Sequence, residues 1–101
     1  KENNGLMSKD FLDEIKNENS LLIDLREKIE IEKGGKIDGG IEIPFPKISE
    51  YLNLNHKELK NKKILFYCRV GHRSTLAVQI SKKFKLENCY HLVGGFKSLS
   101  L

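Results

Sequence analysis

One short segment, residues 68–73, holds most of the side chains that could do chemistry. Two of the chain's three arginines, Arg69 and Arg73, follow Cys68 closely, and Gly71 lies between them. A thiolate is a strong nucleophile, and arginine is suited to fixed contacts with oxyanions. Glycine lets a tight loop turn back on itself, so that successive N–H groups point inward. The segment therefore predicts a nucleophilic cysteine beside an anion-binding loop.

The flanking elements place this cysteine at the end of a strand. Residues 64–67 form an apolar run that predicts a buried strand, and a helical pattern starts at Ser74. Ligands of open α/β sheets bind at the carboxyl ends of strands, and a helix N-terminus favours an anion. These features favour a thiolate at Cys68. The alternative, an inert cysteine at a strand end, leaves the adjoining glycine and arginines unexplained.

The rest of the chain predicts an α/β domain with a largely parallel sheet. Further strands are expected over 21–25, 41–45 and 89–93, and helices over 9–17, from Ile48 to about Leu54, and from residue 96 onward. Ser8 is the expected cap of the first helix. Strands that alternate with helices favour a parallel sheet. We expect residues 1–7 to be a flexible N-terminal end and residues 8–101 to form the domain.

Composition narrows the function classes. The chain has 101 residues and a net charge of +4, and its lysines are interleaved with 14 acidic residues. That spread is typical of a solvated surface, and we expect no nucleic-acid partner. No apolar run approaches the roughly 18 residues that span a bilayer. We expect a cytoplasmic protein; because the first residue is Lys1, an exported or periplasmic location after leader removal is the alternative.

Several other residues have two interpretations. Asp24 and Arg26 point to the same face at a strand end, where a buried carboxylate needs a partner, and their spacing leaves a structural and a catalytic role open. Arg73 could bind substrate or brace the loop through an ion pair, and both interpretations stay open. His72 is expected to modulate the site rather than act as an acid or base.

Cys89 and the remaining histidines are expected to play no direct part. Cys89 is interpreted as a small core residue; a resolving role would need its Cα within about 7 Å of that of Cys68. His56 and His91 have no partner at metal-ligand spacing, so no metal is expected. The glycine pairs match no dinucleotide or Walker motif, and we expect no cofactor.

Four segments, in order, resemble the rhodanese-like sulfurtransferase domains. They are LLIDLRE at 21–27, GKIDGGIEIP at 35–44, CRVGHRS at 68–74 and HLVGGF at 91–96. The cysteine segment, the most specific, resembles the active-site loop of single-domain members. The chain departs from the family where His-Ile-Pro-Gly-Ala is usual, having Lys-Ile-Asp-Gly-Gly at 36–40, and it has no tryptophan after the Gly-Gly pair.

The resemblance implies a fold, a mechanism and a set of partners. The fold would be a three-layer domain with a mostly parallel sheet of about five strands flanked by helices. Cys68 would take a sulfane sulfur as a persulfide from thiosulfate or a polysulfide and pass it to a thiol, to cyanide or to a sulfur-accepting protein. Arg69 would attract the anionic donor. N–H groups of the loop that follows Cys68 would surround the sulfur; the loop residues are Arg69, Val70, Gly71, His72 and Arg73. Structural support for this loop would come from residues at a strand end and in the following helix: Asp24, Arg26 and Ser74.

Two competing functions remain. A cysteine phosphatase or arsenate reductase also uses a cysteine, inward N–H groups and an arginine, but the family's phosphatase relatives place the arginine one residue further from the cysteine. Here Cys68 to Arg73 spans six residues, the sulfurtransferase length. The other alternative is a sulfur carrier or regulatory interaction module. Regulatory members commonly lose the cysteine, which this chain retains.

Overall fold

The computed structural model describes residues 4–99 and shows a five-stranded parallel sheet. Its strands are β1 (Gly5–Leu6), β2 (Ser20–Asp24), β3 (Ile41–Glu42), β4 (Lys63–Tyr67) and β5 (Cys89–Leu92). Their order across the sheet is β1-β5-β4-β2-β3, and every pair is parallel. The α/β class and the mostly parallel sheet of about five strands are confirmed.

Helices cover both faces of this sheet. The described residues form α1 (Ser8–Ile15), α2 (Lys28–Gly34), α3 (Ile48–Leu59) and α4 (His72–Lys83), with short 3₁₀ turns at Phe45–Lys47 and Phe96–Ser98. Neighbouring residues along β4 alternate between the faces: Ile64 and Phe66 join the core beneath α3 and α4, whereas Leu65 and Tyr67 join the core with Phe11 of α1. This alternation follows from the strand period of two and gives three layers.

The parallel register brings the carboxyl ends of β2, β3 and β4 to one edge of the sheet. Asp24 at the end of β2 lies beside Tyr67 at the end of β4, and Glu42 lies on the other side of Asp24. Cys68 follows Tyr67 directly, so the cysteine loop leaves the sheet at this shared edge. The central position of β4 holds the start of the loop between two flanking strands.

Several boundaries differ from the sequence expectations. Gly5–Leu6 is a strand that pairs with β5, so the expected flexible end is wrong for that part; residues 1–3 lie outside the described residues. Met7, not Ser8, is the N-cap of α1. The expected strand over 41–45 is shortened to two residues because a 3₁₀ turn with Pro46 starts at Phe45. The expected last helix is only the 3₁₀ turn Phe96–Ser98, and residues 100–101 lie outside the described residues.

The helix α2 stands apart from both cores. It contains no buried residue, although a capping box between Glu27 and Glu30 orders its first turn. Its position therefore depends on a few polar contacts rather than on apolar burial.

Candidate functional site

The loop after β4 folds around the sulfur of Cys68. The Gly71 N–H donates to Sγ at 3.2 Å and the Ser74 N–H at 3.4 Å, while the Ser74 hydroxyl oxygen lies 3.6 Å from Sγ. Two N–H donors directed at one sulfur stabilise negative charge on it. Cys68 is fully buried beneath the loop. A reagent therefore reaches Sγ only when loop residues part.

The helix α4 begins earlier than expected, and this shortens the loop. His72 is its first residue, and Gly71 is its N-cap with φ of 111°. The Ser74 hydroxyl donates to the Gly71 carbonyl at 3.2 Å, and the Thr75 hydroxyl donates to the same oxygen at 2.8 Å. These bonds fix the turn, so that the N–H groups of Gly71 at the N-cap and Ser74 in the first helical turn face Sγ.

Arg73 is held by an acidic residue that the sequence analysis missed. Its guanidinium makes a two-pronged ion pair with the Glu30 carboxylate, with both N–O distances 2.9 Å. The hydrogen bond with Glu30 raises the pKa of Arg73, and the nearby Cys68 adds to that rise. The same bond lowers the pKa of Glu30. Arg73 therefore braces the loop against α2, as one of its two interpretations expects, and substrate binding by this residue stays a prediction.

Asp24 and Arg26 form the buried pair expected from their spacing. Arg26 donates to the two carboxylate oxygens at 2.9 and 2.7 Å, and the Tyr67 hydroxyl donates to Asp24 at 2.8 Å. Burial raises the pKa of Tyr67, so this hydroxyl stays protonated. The Ile37 N–H donates to the tyrosine oxygen at 3.0 Å. The network ties the ends of β2 and β4 to the glycine-rich segment, which is a structural role.

The Gly-Gly-Phe segment clasps the start of the cysteine loop. The Phe96 N–H donates to the Cys68 carbonyl at 2.8 Å, and the Lys97 N–H donates to the Arg69 carbonyl at 3.0 Å. Gly95 has φ of 70°, and a Cβ there would overlap the Arg69 carbonyl and lie 2.6 Å from the Val70 nitrogen. Only glycine allows this close approach.

A pocket of about 540 Å³ opens beside the loop. Its walls come from α2, from the cysteine loop and from the last 3₁₀ turn, and its lining residues are Arg26, Glu30, Lys33, Gly34, Arg69, Phe96, Lys97 and Leu99. The Arg26 guanidinium lies 4.4 Å from the centre of the Phe96 ring, so a cation–π contact supports the floor. The pocket adjoins the loop but is not lined by Cys68 itself.

The predicted site residues other than Arg73, which is bonded to Glu30, divide into three groups. Cys68, Gly71 and Ser74 meet at the sulfur; Asp24 and Arg26 form the supporting network. Arg69, Val70 and His72 are exposed, and of these only Arg69 lines the pocket. The sequence analysis missed further site residues because they reach the loop only through the tertiary fold: Glu30, Lys33, Tyr67 and Lys97.

Cys89 lies far from the loop. It is in register with Ile64, and Cys68 lies four residues beyond Ile64, which is roughly 13 Å at about 3.3 Å per residue. That exceeds the ~7 Å limit for a disulfide. Burial raises the pKa of the Cys89 thiol to about 11. Cys89 is therefore a core residue, and it cannot resolve an oxidised Cys68 in this fold.

Comparison with known proteins identifies the family. The chain matches the family model of the rhodanese-like domain over residues 7–101. It therefore belongs to the rhodanese-like domain family. Membership supports a sulfurtransferase-type or related activity. None of the helices within residues 4–99 is long and apolar enough to cross a membrane.

Three relatives show the range of this family. The mouse thiosulfate sulfurtransferase/rhodanese-like domain-containing protein 3 is 32% identical over 87 residues, covering 76% of this chain and 55% of the relative. The tRNA uridine(34) hydroxylase of Buchnera aphidicola is 34% identical over 95 residues, covering 89% of this chain and 30% of the relative. A Rhodopseudomonas palustris protein of unknown function, described as a possible tyrosine phosphatase, has a similar structure, with a TM-score of 0.83, 26% identity and coverage of 93% and 76%. The chain thus spans about half of the mouse protein and under a third of the hydroxylase.

Proposed function

We propose that this protein is a sulfurtransferase in which Cys68 carries a sulfane sulfur as a persulfide. One observation supports the proposal above the others: the N–H groups of Gly71 and Ser74 point at Sγ from 3.2 and 3.4 Å. Such donors stabilise a thiolate before the reaction and a terminal sulfur anion after it. The mouse relative's name includes thiosulfate sulfurtransferase, which agrees with this chemistry.

The two half-reactions need no outside oxidant. The Cys68 thiolate attacks the sulfane sulfur of thiosulfate, the donor's S–S bond breaks, and sulfite leaves with the electron pair. An acceptor thiolate or cyanide then attacks the outer sulfur of the persulfide, and Cys68 leaves as a thiolate. The covalent intermediate divides one transfer into two easier displacements. Arg69, exposed at the pocket, would attract the anionic donor.

The contacts of Arg73 favour sulfur over phosphate as the transferred group. Both prongs of its guanidinium are bonded to Glu30, so it does not stand free to clamp the oxygens of a phosphoryl group. A sulfane sulfur is a single atom, whereas a phosphoryl group on Sγ would add three oxygens beneath a closed loop. The six-residue loop therefore suits persulfide chemistry better than phosphatase chemistry.

Intact-mass measurement tests the proposal directly. After incubation with thiosulfate, the wild-type protein should gain the mass of one sulfur atom and lose it on addition of cyanide. Cys68→Ser should abolish the gain, whereas Cys89→Ser should keep it, because Cys89 lies in the core far from the loop. The proposal fails if the wild-type protein gains no sulfur from either thiosulfate or a polysulfide.

An aryl phosphate provides the contrasting substrate. We expect no hydrolysis above the level of the Cys68→Ser variant. Turnover of the phosphate without persulfide formation would instead assign the loop to the phosphatase chemistry suggested for the Rhodopseudomonas palustris protein. A persulfide sulfur that small thiols and cyanide do not remove, but that is transferred to a protein thiol, would point to the sulfur-carrier alternative.

A further inference from the structure

The positive charge of the protein is concentrated at the end of the domain away from the cysteine loop. The segments 56–62 and 82–87 together hold six lysines and two glutamates, so their net charge is +4, which equals that of the whole chain. These segments include the last turns of α3 and α4. Because α4 starts at the cysteine loop and has 12 residues, its last turn lies about 18 Å from that loop. The remainder of the sequence is neutral overall.

A cleft lies between these two helix ends. Its volume is about 280 Å³, and its lining residues are His56, Lys60, Lys83, Phe84 and Lys85. The His56 and Phe84 rings stack with their centres 6.3 Å apart, which joins the end of α3 to the end of α4. In the part of the chain that the structure describes, none of the three lysines has a carboxylate within 4.0 Å. The cleft therefore combines an aromatic wall with three ammonium groups available to an anion.

Lys85 occupies a backbone position that is unfavourable for its side chain. It follows the C-cap Phe84 and has φ of 62°, in the left-handed region. The Lys85 N–H donates to the Lys82 carbonyl, and the Leu86 N–H donates to the Ser81 carbonyl. This is the Schellman ending of a helix, in which glycine is preferred because a Cβ is strained there. The fold thus places a lysine at the cleft against the preference of the backbone.

We infer that this basic end docks an acidic segment of a partner protein, in which aspartates and glutamates flank one apolar side chain. The carboxylates contact Lys60, Lys83 and Lys85, and the apolar side chain enters the cleft against Phe84. Charge complementarity favours this occupant, and the cleft has room for one large side chain. Because the surface lies a helix length from Cys68, a docked partner leaves the cysteine loop accessible. The inference goes beyond the proposed sulfurtransferase function and does not depend on it.

The composition of this end favours a peptide over a nucleic acid. Proteins that bind single-stranded nucleic acids offer several exposed aromatic rings to successive bases, and arginine is suited to two-pronged contacts with phosphates. The segments 56–62 and 82–87 contain no arginine, and besides His56 their one aromatic residue is Phe84, which is half-buried. A nucleic acid would gain only phosphate contacts here and would leave the cleft unfilled.

Titration with a short peptide tests the docking surface. The probe is acetyl-Glu-Asp-Phe-Glu-Asp-amide, and the matched peptide acetyl-Gln-Asn-Phe-Gln-Asn-amide has no charge. At low ionic strength the acidic peptide should shift the amide resonances of Lys60, Phe84 and Lys85 saturably and leave those of Gly71 and Ser74 unchanged. The inference is overturned if these shifts are absent, if the uncharged peptide binds equally well, or if octathymidylate binds more tightly than the acidic peptide.

A matched pair of variants separates the cleft from the net charge. Lys60→Gln/Lys83→Gln should weaken binding of the acidic peptide by about threefold to tenfold. Lys28→Gln/Lys47→Gln also removes two exposed lysines, outside the cleft, and should bind the peptide like the wild-type protein. Sulfur loading from thiosulfate should be the same in both variants as in the wild type, so the docking test and the sulfurtransferase test fail separately. An equal loss of binding in the control pair would overturn the inference.

Lys85→Gly should have two opposite effects. Glycine relieves the strain of the positive φ, so the midpoint of urea denaturation should rise. Loss of the ammonium group should weaken binding of the acidic peptide by about twofold to fourfold. A lysine with only a structural part in the helix ending would give the rise without the loss of binding, and that result would overturn the inference.

Discussion

Two cysteines with the same burial differ in what surrounds their sulfur atoms. Cys68 and Cys89 have 0% and 1% of their surface exposed. Sγ of Cys68 accepts N–H bonds from Gly71 and Ser74, whereas the Cys89 thiol donates to the Leu86 carbonyl at 3.6 Å. Two N–H donors are directed at the Cys68 sulfur, whereas burial raises the pKa of the Cys89 thiol. Burial alone therefore does not decide reactivity in this protein.

Alkylation of the folded protein checks this contrast. We expect iodoacetamide to modify Cys68 at neutral pH and to leave Cys89 unmodified until the protein is unfolded. Burial raises the pKa of Cys89 to about 11, so its thiolate is scarce at neutral pH. Peptide mass mapping after timed quenching distinguishes the two sites. Equal rates at both cysteines would show that the N–H groups of the loop do not activate Cys68.

At the scale of elements, the cysteine loop depends on two neighbours that are distant in sequence. The last 3₁₀ turn bonds to the carbonyls of Cys68 and Arg69, and α2 holds Arg73 through Glu30. The loop itself was predictable because strand, cysteine, glycine and helix start are contiguous. The Glu30 contact was not, since nothing local distinguishes this residue from other acidic residues in a first helical turn. Its partner becomes apparent only when the parallel crossover brings α2 over the loop.

A pair of alanine substitutions isolates the clasp made by the last 3₁₀ turn. Gly95→Ala should lower the free energy of unfolding by about 2–4 kcal/mol and impair sulfur transfer, because its Cβ would overlap the backbone at Arg69. Gly35 also has a positive φ, 82°, but nothing lies within 4 Å of the Cβ that Gly35→Ala would add. It should cost only about 1 kcal/mol of backbone strain. Chemical denaturation measures both; equal losses would mean that the clasp adds nothing beyond φ.

Charge reversal distinguishes the two roles of the Glu30–Arg73 pair. Glu30→Arg or Arg73→Glu alone should lower the free energy of unfolding by about 1–3 kcal/mol, and the double reversal should recover the ion-pair part of that loss but not the bond from the Glu27 N–H to Glu30. Sulfur transfer should stay low in the double variant, because the positive charge has moved away from Cys68. Full recovery of transfer would show that the pair serves only to attach α2.

At the scale of the whole molecule, the fold class was accessible from sequence and the edges of the sheet were not. The buried runs that became β2 and β4 are continuous and apolar, which is the pattern of central parallel strands. The edge strand Gly5–Leu6 has two residues and no pattern of its own, so only its pairing with β5 defines it. At the other edge, the alternation of apolar and polar residues predicts a strand to residue 45, but β3 ends at Glu42 and a 3₁₀ turn begins at Phe45.

The free energy of unfolding should depend on pH through the protonation of Glu30. The hydrogen bond from Arg73 lowers the pKa of Glu30 below its ordinary value of 4.5. A group with a lowered pKa in the folded state contributes stability that is complete above the unfolded pKa and is lost as pH falls through the folded pKa. The difference in unfolding free energy between wild type and Glu30→Gln should therefore shrink as the pH falls from about 5 through the lowered pKa of Glu30. A difference that stays constant over that window would contradict the ion pair's contribution.

The clasp on the cysteine loop also has a consequence for biosynthesis. The carbonyls of Cys68 and Arg69 are bonded by residues from the C-terminal part of the domain, beyond β5. A ribosome therefore exposes the reactive thiol before the segment that closes over it has emerged from the exit tunnel, and parallel pairing across the sheet is intrinsically slow. During that interval the nascent chain exposes a cysteine that the finished domain shields. Oxidants or electrophiles present during translation should modify the Cys68 thiol more readily than the same reagents added to the mature protein.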